Sequence, residues 1–233
     1  MIGVSAGQRR HASRLPGEGD AAEGLLHQAR DREAGPSRRG TVIHMTRIIA
    51  GFAGSIRLAV PPFGTRPTSD RVREAIFSAL DARDALDGAR VLDLFAGSGA
   101  LGLEAASRGA AHITLVDYAT AAHTATQKNA AAVRKAAPRG EMPEIVVSSQ
   151  PVQSFLLGSR DRWDVVFLDP PYELGGLELV RDLEALVARL APNAVVVLER
   201  SSRDRALEWP AGLELERRKD YGDTALYWLR PAE

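Results

Sequence analysis

The sequence predicts an α/β protein whose mostly parallel sheet is covered by helices on both faces. Three observations carry the prediction. Past Asp87-Gly88, short apolar runs alternate with amphipathic stretches, strand then helix, as in βαβ units. The run Val165-Val166-Phe167-Leu168 reads as a buried strand that ends abruptly in Asp169-Pro170-Pro171-Tyr172. The last two apolar runs are joined through Tyr221-Gly222-Asp223, too short for a crossover helix, so that pair is antiparallel.

In chain order, residues 1–44 stand apart. They hold seven Arg against five acids, and only Leu25-Leu26 resembles an apolar cluster. Such a segment cannot bury enough apolar surface to offset its ordering entropy. It also lacks the apolar core of a secretory signal. A disordered basic tail, or a start codon placed too early, is expected there, since Met45 opens the well-patterned sequence.

Residues 45–83 predict two short strands, 46–51 and 55–60, around a Gly51/Gly54 turn, followed by a helix. Thr68 or Ser69 can cap that helix, and Val72, Ile76, Phe77 and Leu80 fall on one face of it. Between 45 and 73 there are five Arg and one acid, Asp70. This is the one clearly basic block: either a solvated face or a contact for nucleic acid.

From residue 84 onward seven strands are expected, near 90–95, 112–117, 144–148, 164–169, 194–199, 213–219 and 224–229. Helices are expected near 99–108, 119–136, 152–157 and 176–190. The last helix, with Leu177, Leu179, Val180, Leu183, Leu186, Val187 and Leu190, reads as an ordinary covering helix.

Composition bounds the function. The chain has 233 residues, 45% hydrophobic and 26% charged, in the range of a soluble globular protein. The absence of cysteine excludes disulfides and thiolate–metal sites and fits a reducing compartment. No apolar run approaches the ~20 residues needed to span a bilayer. The five histidines show no metal-ligand spacing: His11, His27 and His44 lie in the tail, and His112 and His123 are isolated. No metal and no membrane partner are expected.

Two motifs carry chemistry. Asp93-Leu-Phe-Ala-Gly-Ser-Gly-Ala-Leu-Gly102 follows the first strand of the sheet and opens a helix. Gly97, Gly99 and Gly102 satisfy a dinucleotide fingerprint, with the acid Asp117 20 residues beyond Gly97. The backbone of Phe95, Ala96, Gly97 and Gly99 can approach a ligand closely, Asp117 can accept both ribose hydroxyls, and Tyr118 follows it. The loop alone does not separate NAD from S-adenosylmethionine (SAM). Asp93 favours SAM, because a carboxylate there suits a cationic aminoacyl group and would sit badly beside a pyrophosphate. In the second motif, Pro170 and Pro171 cannot extend the ladder. The stiff turn holds the Asp169 carboxylate and the Pro170 carbonyl side by side as acceptors for an NH2 group, with Tyr172 as a neighbouring aromatic face.

A parallel sheet closed by an antiparallel hairpin is characteristic of the Rossmann-like SAM-dependent methyltransferases. Arg66-Pro-Thr-Ser-Asp-Arg-Val-Arg-Glu74, Asp93 to Ala105, and Asp169-Pro-Pro-Tyr172 together resemble the RsmD-type family of bacterial 16S rRNA guanine-N2 methyltransferases. The resemblance runs from about Thr46 to Arg230. It implies a hairpin-and-helix RNA-binding extension over 45–83 and a methyltransferase domain over 84–233. It implies SAM as cofactor and a guanine of 16S rRNA, conventionally G966, as substrate, within a small-subunit particle. A cytoplasmic monomer is expected. The acid or Asn that many such enzymes place after the third strand is replaced here by Ser148-Ser149-Gln150-Pro151, leaving Gln150 as the expected adenine contact.

On this resemblance Asp169, Pro170, Pro171 and Tyr172 form the catalytic turn. The two acceptors turn the amine lone pair toward the methyl donor, and Tyr172 stacks on a base splayed from the RNA. Arg57, Arg66, Thr68 and Arg71 hold the RNA, with salt-dependent affinity. Three rivals remain open on sequence: an adenine-N6 methyltransferase acting on DNA or RNA, an NAD-dependent oxidoreductase, and a non-catalytic RNA-binding assembly factor. The first uses the same turn, the second lacks a convincing proton donor, and the intact Asp169–Tyr172 turn argues against the third.

Overall fold

The computed structural model describes residues 46–61, 69–205 and 207–232. The expected tail over 1–44 and the expected RNA contacts Arg66 and Thr68 lie outside them. Strands β1 (Thr46–Arg47) and β2 (Arg57–Leu58) pair antiparallel, with Arg47 opposite Arg57. Helix α1 (Asp70–Asp81) follows, and the Ser69 side chain caps it by accepting the Val72 N–H at 3.3 Å. Val72, Ile76, Phe77 and Leu80 are all buried, as their helical spacing requires.

The N-terminal strands are shorter than the pattern suggested, because the backbone donors between them are committed elsewhere. Helix α2 (Ala100–Ser107) takes them. The fully buried Glu104 carboxylate accepts the Ile49 and Ala50 N–H groups at 2.6 and 3.0 Å. Ser107 accepts the Ala53 N–H on its hydroxyl at 2.9 Å and the Phe52 N–H on its carbonyl at 2.9 Å. Ile48 still bonds across to Ser55 and Ile56, and residues 49–53 are docked on α2 rather than extended in a hairpin.

Gly51 sits at the closest approach, with φ +77°, and an added Cβ would lie 1.7 Å from the Ser107 carbonyl oxygen. Gly51→Ala therefore meets both a left-handed backbone and a backbone clash. The expected result is a cost of roughly 2 kcal/mol or more. It should appear as faster amide exchange at residues 49–53, with the amides of the central sheet unchanged.

The remaining strands build one seven-stranded sheet: β3 (Arg90–Leu94), β4 (His112–Val116), β5 (Glu144–Ser148), β6 (Trp163–Leu168), β7 (Leu190–Ser201), β8 (Leu213–Tyr221) and β9 (Thr224–Pro231). Their spatial order is β5-β4-β3-β6-β7-β9-β8. β3 to β7 run parallel, and β9 inserts antiparallel between β7 and β8. Helix α3 (Thr120–Ala136) joins β4 to β5, α4 (Val152–Gly158) joins β5 to β6, and α5 (Gly176–Val187) joins β6 to β7.

Alternate strand residues serve two cores. Val91, Val165 and Phe167 pack with α1, α2 and α3, whereas Leu92, Leu94, Val166 and Leu168 pack with α4 and α5. Trp163 and Trp228 are buried in these layers, and Trp209 packs against Tyr227 with ring centroids 5.4 Å apart. Among the described residues, no helix is long and apolar enough to cross a membrane.

Two expectations on α5 are corrected. The helix ends at Val187, and Leu190 belongs to β7, paired with Trp163 across a register shift. Apolar spacing cannot tell a last helical turn from a core residue three positions past the helix end. Leu177, expected on the covering face, is 81% exposed, and Asp182 occupies that face instead.

Candidate active site

The strand order reverses between β3 and β6, with β4 continuing on one side and β7 on the other. In an open α/β sheet, the crevice at the carboxyl ends of such a pair is where ligands bind. Both sequence motifs leave the sheet there. Leu94 pairs with Leu168, so the glycine turn and the Asp169 corner start side by side. The Asp169 N–H points to the Leu94 carbonyl at 3.5 Å.

The turn after β3 is held in an uncommon backbone shape. Phe95 has φ +60°, a conformation costly for an aromatic residue and found where surrounding structure enforces it. The enforcing contacts are identifiable. The Ala96 N–H donates to the Val116 carbonyl at 3.0 Å, and the Gly97 N–H donates to the Asp117 carboxylate at 2.9 Å. From α3, the Thr126 hydroxyl donates to the Gly97 carbonyl and the Asn129 amide to the Ser98 carbonyl, both at 2.8 Å. Asn129 also exchanges hydrogen bonds with the Ala59 backbone, which ties the glycine turn to the N-terminal segment. A side chain at Gly102 would drive into Leu115, so α2 starts close against β4.

The cleft is acidic. Asp93, 1% exposed, accepts the Gly102 N–H at 2.8 Å. Burial raises its pKa to about 7, against the lowering effect of that hydrogen bond, and the neighbouring charges of Asp169 and Asp117 raise it further. Three carboxylates thus feel one another across one space. One part of the cleft is lined by Asp93, Ala96, Gly97, Arg73 and Asp169, and the adjoining part by Gly97, Asp117, Tyr118, Pro171 and Asp169. Phe95 and Pro61 line both parts. The second part encloses about 140 Å³ and opens to solvent. Such a field attracts a cation and repels a pyrophosphate.

Of the residues predicted for catalysis and cofactor binding, Asp93, Phe95, Ala96, Gly97, Asp117, Tyr118, Asp169 and Pro171 line the cleft. Gly99 stands just behind it as the N-cap of α2, Pro170 is buried, and Tyr172 is 61% exposed beside the turn. Gln150 does not converge. It is exposed and lines neither part of the cleft nor the cavity beside it. Arg57 and Arg71 are exposed on β2 and α1.

Arg73, counted in the basic block, is 1% exposed and unavailable to a surface ligand. It donates to the Arg47 carbonyl at 2.9 Å and pairs with Asp70 at 2.6 Å. Sequence reading missed Thr126 and Asn129, whose only signal is two polar residues on the buried side of an Ala-rich helix. It also missed Glu104, an acid two residues past Gly102.

Comparison with known proteins agrees with this geometry. The family described as "Conserved hypothetical protein 95" matches residues 46–230. Ribosomal RNA small subunit methyltransferase D of Escherichia coli K12 is 38% identical over 180 residues, covering 77% of this chain and 86% of that protein. The protein of the same name from Haemophilus influenzae is 33% identical over 190 residues, covering 80% and 92%. The solved structure of yhhF from Escherichia coli superposes with a TM-score of 0.68 at 33% identity, covering 80% of this chain and 98% of that one. With the glycine turn, the acidic cleft and the Asp169–Tyr172 corner on adjacent strands, the chain belongs to the RsmD family of methyltransferases.

Proposed function

We propose that this chain methylates the exocyclic N2 amine of a guanine in 16S rRNA, by family resemblance G966, with SAM as cofactor. The observation that carries the reading is the shared cleft: Asp169, at the end of β6, lines the same space as Asp93 and Gly97.

The residues present fit SAM. Asp93 meets the aminoacyl ammonium, and Asp117 keeps lone pairs for the ribose hydroxyls beyond those given to Gly97 and Ala119. The cluster of carboxylates suits a ligand that carries positive charge on sulfur and nitrogen. When bound, SAM supplies an activated methyl group.

The protein's own part is alignment and charge. Guanine's amine is a weak nucleophile because its lone pair is delocalised into the ring. The Asp169 carboxylate and Pro170 carbonyl accept its two N–H bonds, orient the lone pair, and stabilise positive charge developing on nitrogen. Asp169 also serves as proton acceptor, directly or by way of water. Exposed Tyr172 stacks on a base extruded from the RNA.

Arg57, beside Arg47 on the β1–β2 pair, and Arg71 on α1 hold phosphates, together with Arg66 and Thr68. Like charges placed opposite one another in a strand pair are unfavourable alone, and a polyanion relieves them. The protein acts as a cytoplasmic monomer on the small-subunit particle.

The test is methyl mapping. Incubation with methyl-labelled SAM and either unmodified 16S rRNA or small-subunit particles, followed by nuclease mapping, is expected to place label on the N2 of one guanine. Label on adenine N6, or no label on either substrate, overturns the proposal.

A further inference from the structure

We propose that Asp182, on α5, is the residue that recognises the adenine of the cofactor, an inference that rests on the reading of the cleft as a SAM site. Beside the part of the cleft that holds Asp117 lies a cavity lined by Phe95, Tyr118, Val152 and Pro171, with Glu178 and Asp182 on its α5 wall. Phe95, Tyr118 and Pro171 line both spaces, so a base attached to a ribose at Asp117 has an apolar, aromatic-edged slot next to it.

Asp182 is out of place for a covering helix. It lies on the stripe formed by Leu179, Leu183 and Leu186 and is 3% exposed. Among the described residues none gives it a hydrogen bond or an ion pair. Burial, with the nearby charge of Glu178, pushes its carboxyl up to about 6. A buried acid without a partner costs stability unless a ligand supplies the donor. Adenine supplies one, the exocyclic N6 amine.

The location also answers a gap in the other wall. The position after β5, where many such enzymes place an acid or Asn and where Gln150 was the expected adenine contact, carries Ser149 and Gln150, and both are exposed. On the α4 wall Gln153 and Ser154 also line the slot, and the buried acceptor facing them is Asp182 on α5.

Calorimetry on the full chain with S-adenosylhomocysteine and S-inosylhomocysteine tests the assignment. The second compound replaces the amine by a carbonyl, which faces a carboxylate unfavourably. Wild type is expected to bind the adenosyl form at least about tenfold more tightly, the scale of a hydrogen bond to a charged group. Asp182→Asn, whose amide can donate to the carbonyl, is expected to weaken adenosyl binding on the order of 10–100-fold and to level the two affinities. Asp182→Asn binding both compounds as wild type does overturns the assignment. Wild type binding neither compound overturns the SAM reading itself, a distinct outcome.

Asp182→Leu gives a second readout. It restores the apolar stripe and is expected to raise the Tm of the ligand-free protein while shrinking the Tm gain from S-adenosylhomocysteine. An undiminished gain overturns the assignment.

Discussion

Asp169→Ala is expected to lower kcat on the order of 10²–10³-fold, the scale seen when a group that stabilises transition-state charge is removed. Cofactor affinity should change little, for a reason visible in the cleft. Asp169 is one of two charges that raise the Asp93 pKa. Its removal takes away one attraction for a cationic cofactor and lets Asp93 ionise more readily, and the two effects oppose each other. Asp169→Asn keeps one acceptor oxygen and loses the charge, so it should retain more activity than the alanine variant. Single-turnover methyl transfer on 16S rRNA, with cofactor binding by calorimetry, makes the measurement. Alanine turnover within tenfold of wild type would remove the proposed role of this turn.

Asp93→Asn is expected to move stability and binding in opposite directions. The folded-state pKa of Asp93 lies near 7, against an unfolded value of 3.8. Between those values the native state holds a proton that the unfolded chain releases, so stability falls as pH rises from about 4 to about 7 and is level above that. The full difference is on the order of 4 kcal/mol. Asparagine does not titrate and can still accept the Gly102 N–H. At pH 8 the variant should therefore be more stable than wild type, with the gap closing toward pH 4. Its SAM affinity should be lower at pH 8 and flat with pH, whereas wild-type affinity rises as Asp93 ionises. Thermal unfolding and calorimetry at three pH values suffice. Equal pH slopes in the two proteins would show that Asp93 is not the titrating group.

The sheet was legible because its signals are local. Buried strands such as Val165–Leu168 and the two-residue turn after Tyr221 need no distant partner to be recognised. The site was legible for the same reason: Asp93, Gly97, Asp117 and Asp169 each sit at a strand end, and parallel strands bring their carboxyl ends together. What escaped depends on contacts far apart in sequence. Glu104 is separated by 55 residues from Ile49, whose N–H it takes, and Asn129 by 70 from Ala59. Arg73 looks like surface charge until the Arg47 carbonyl arrives to bury it. Asp182 differs again, since its misfit could have been seen in the helical stripe, where it stands between Leu179 and Leu183.

The placement of β9 has a bearing on biosynthesis. It follows β8 in the chain yet lies inside the sheet, between β7 and β8. While the polypeptide is being made, β7 presents an open apolar margin and β8 has nothing to pair with. Only when residues 224–231 leave the ribosome do both find their neighbour at once. The sheet is thus completed in one late step rather than strand by strand. Translation that stops short of Thr224 leaves a sticky edge for chaperones or proteases to find.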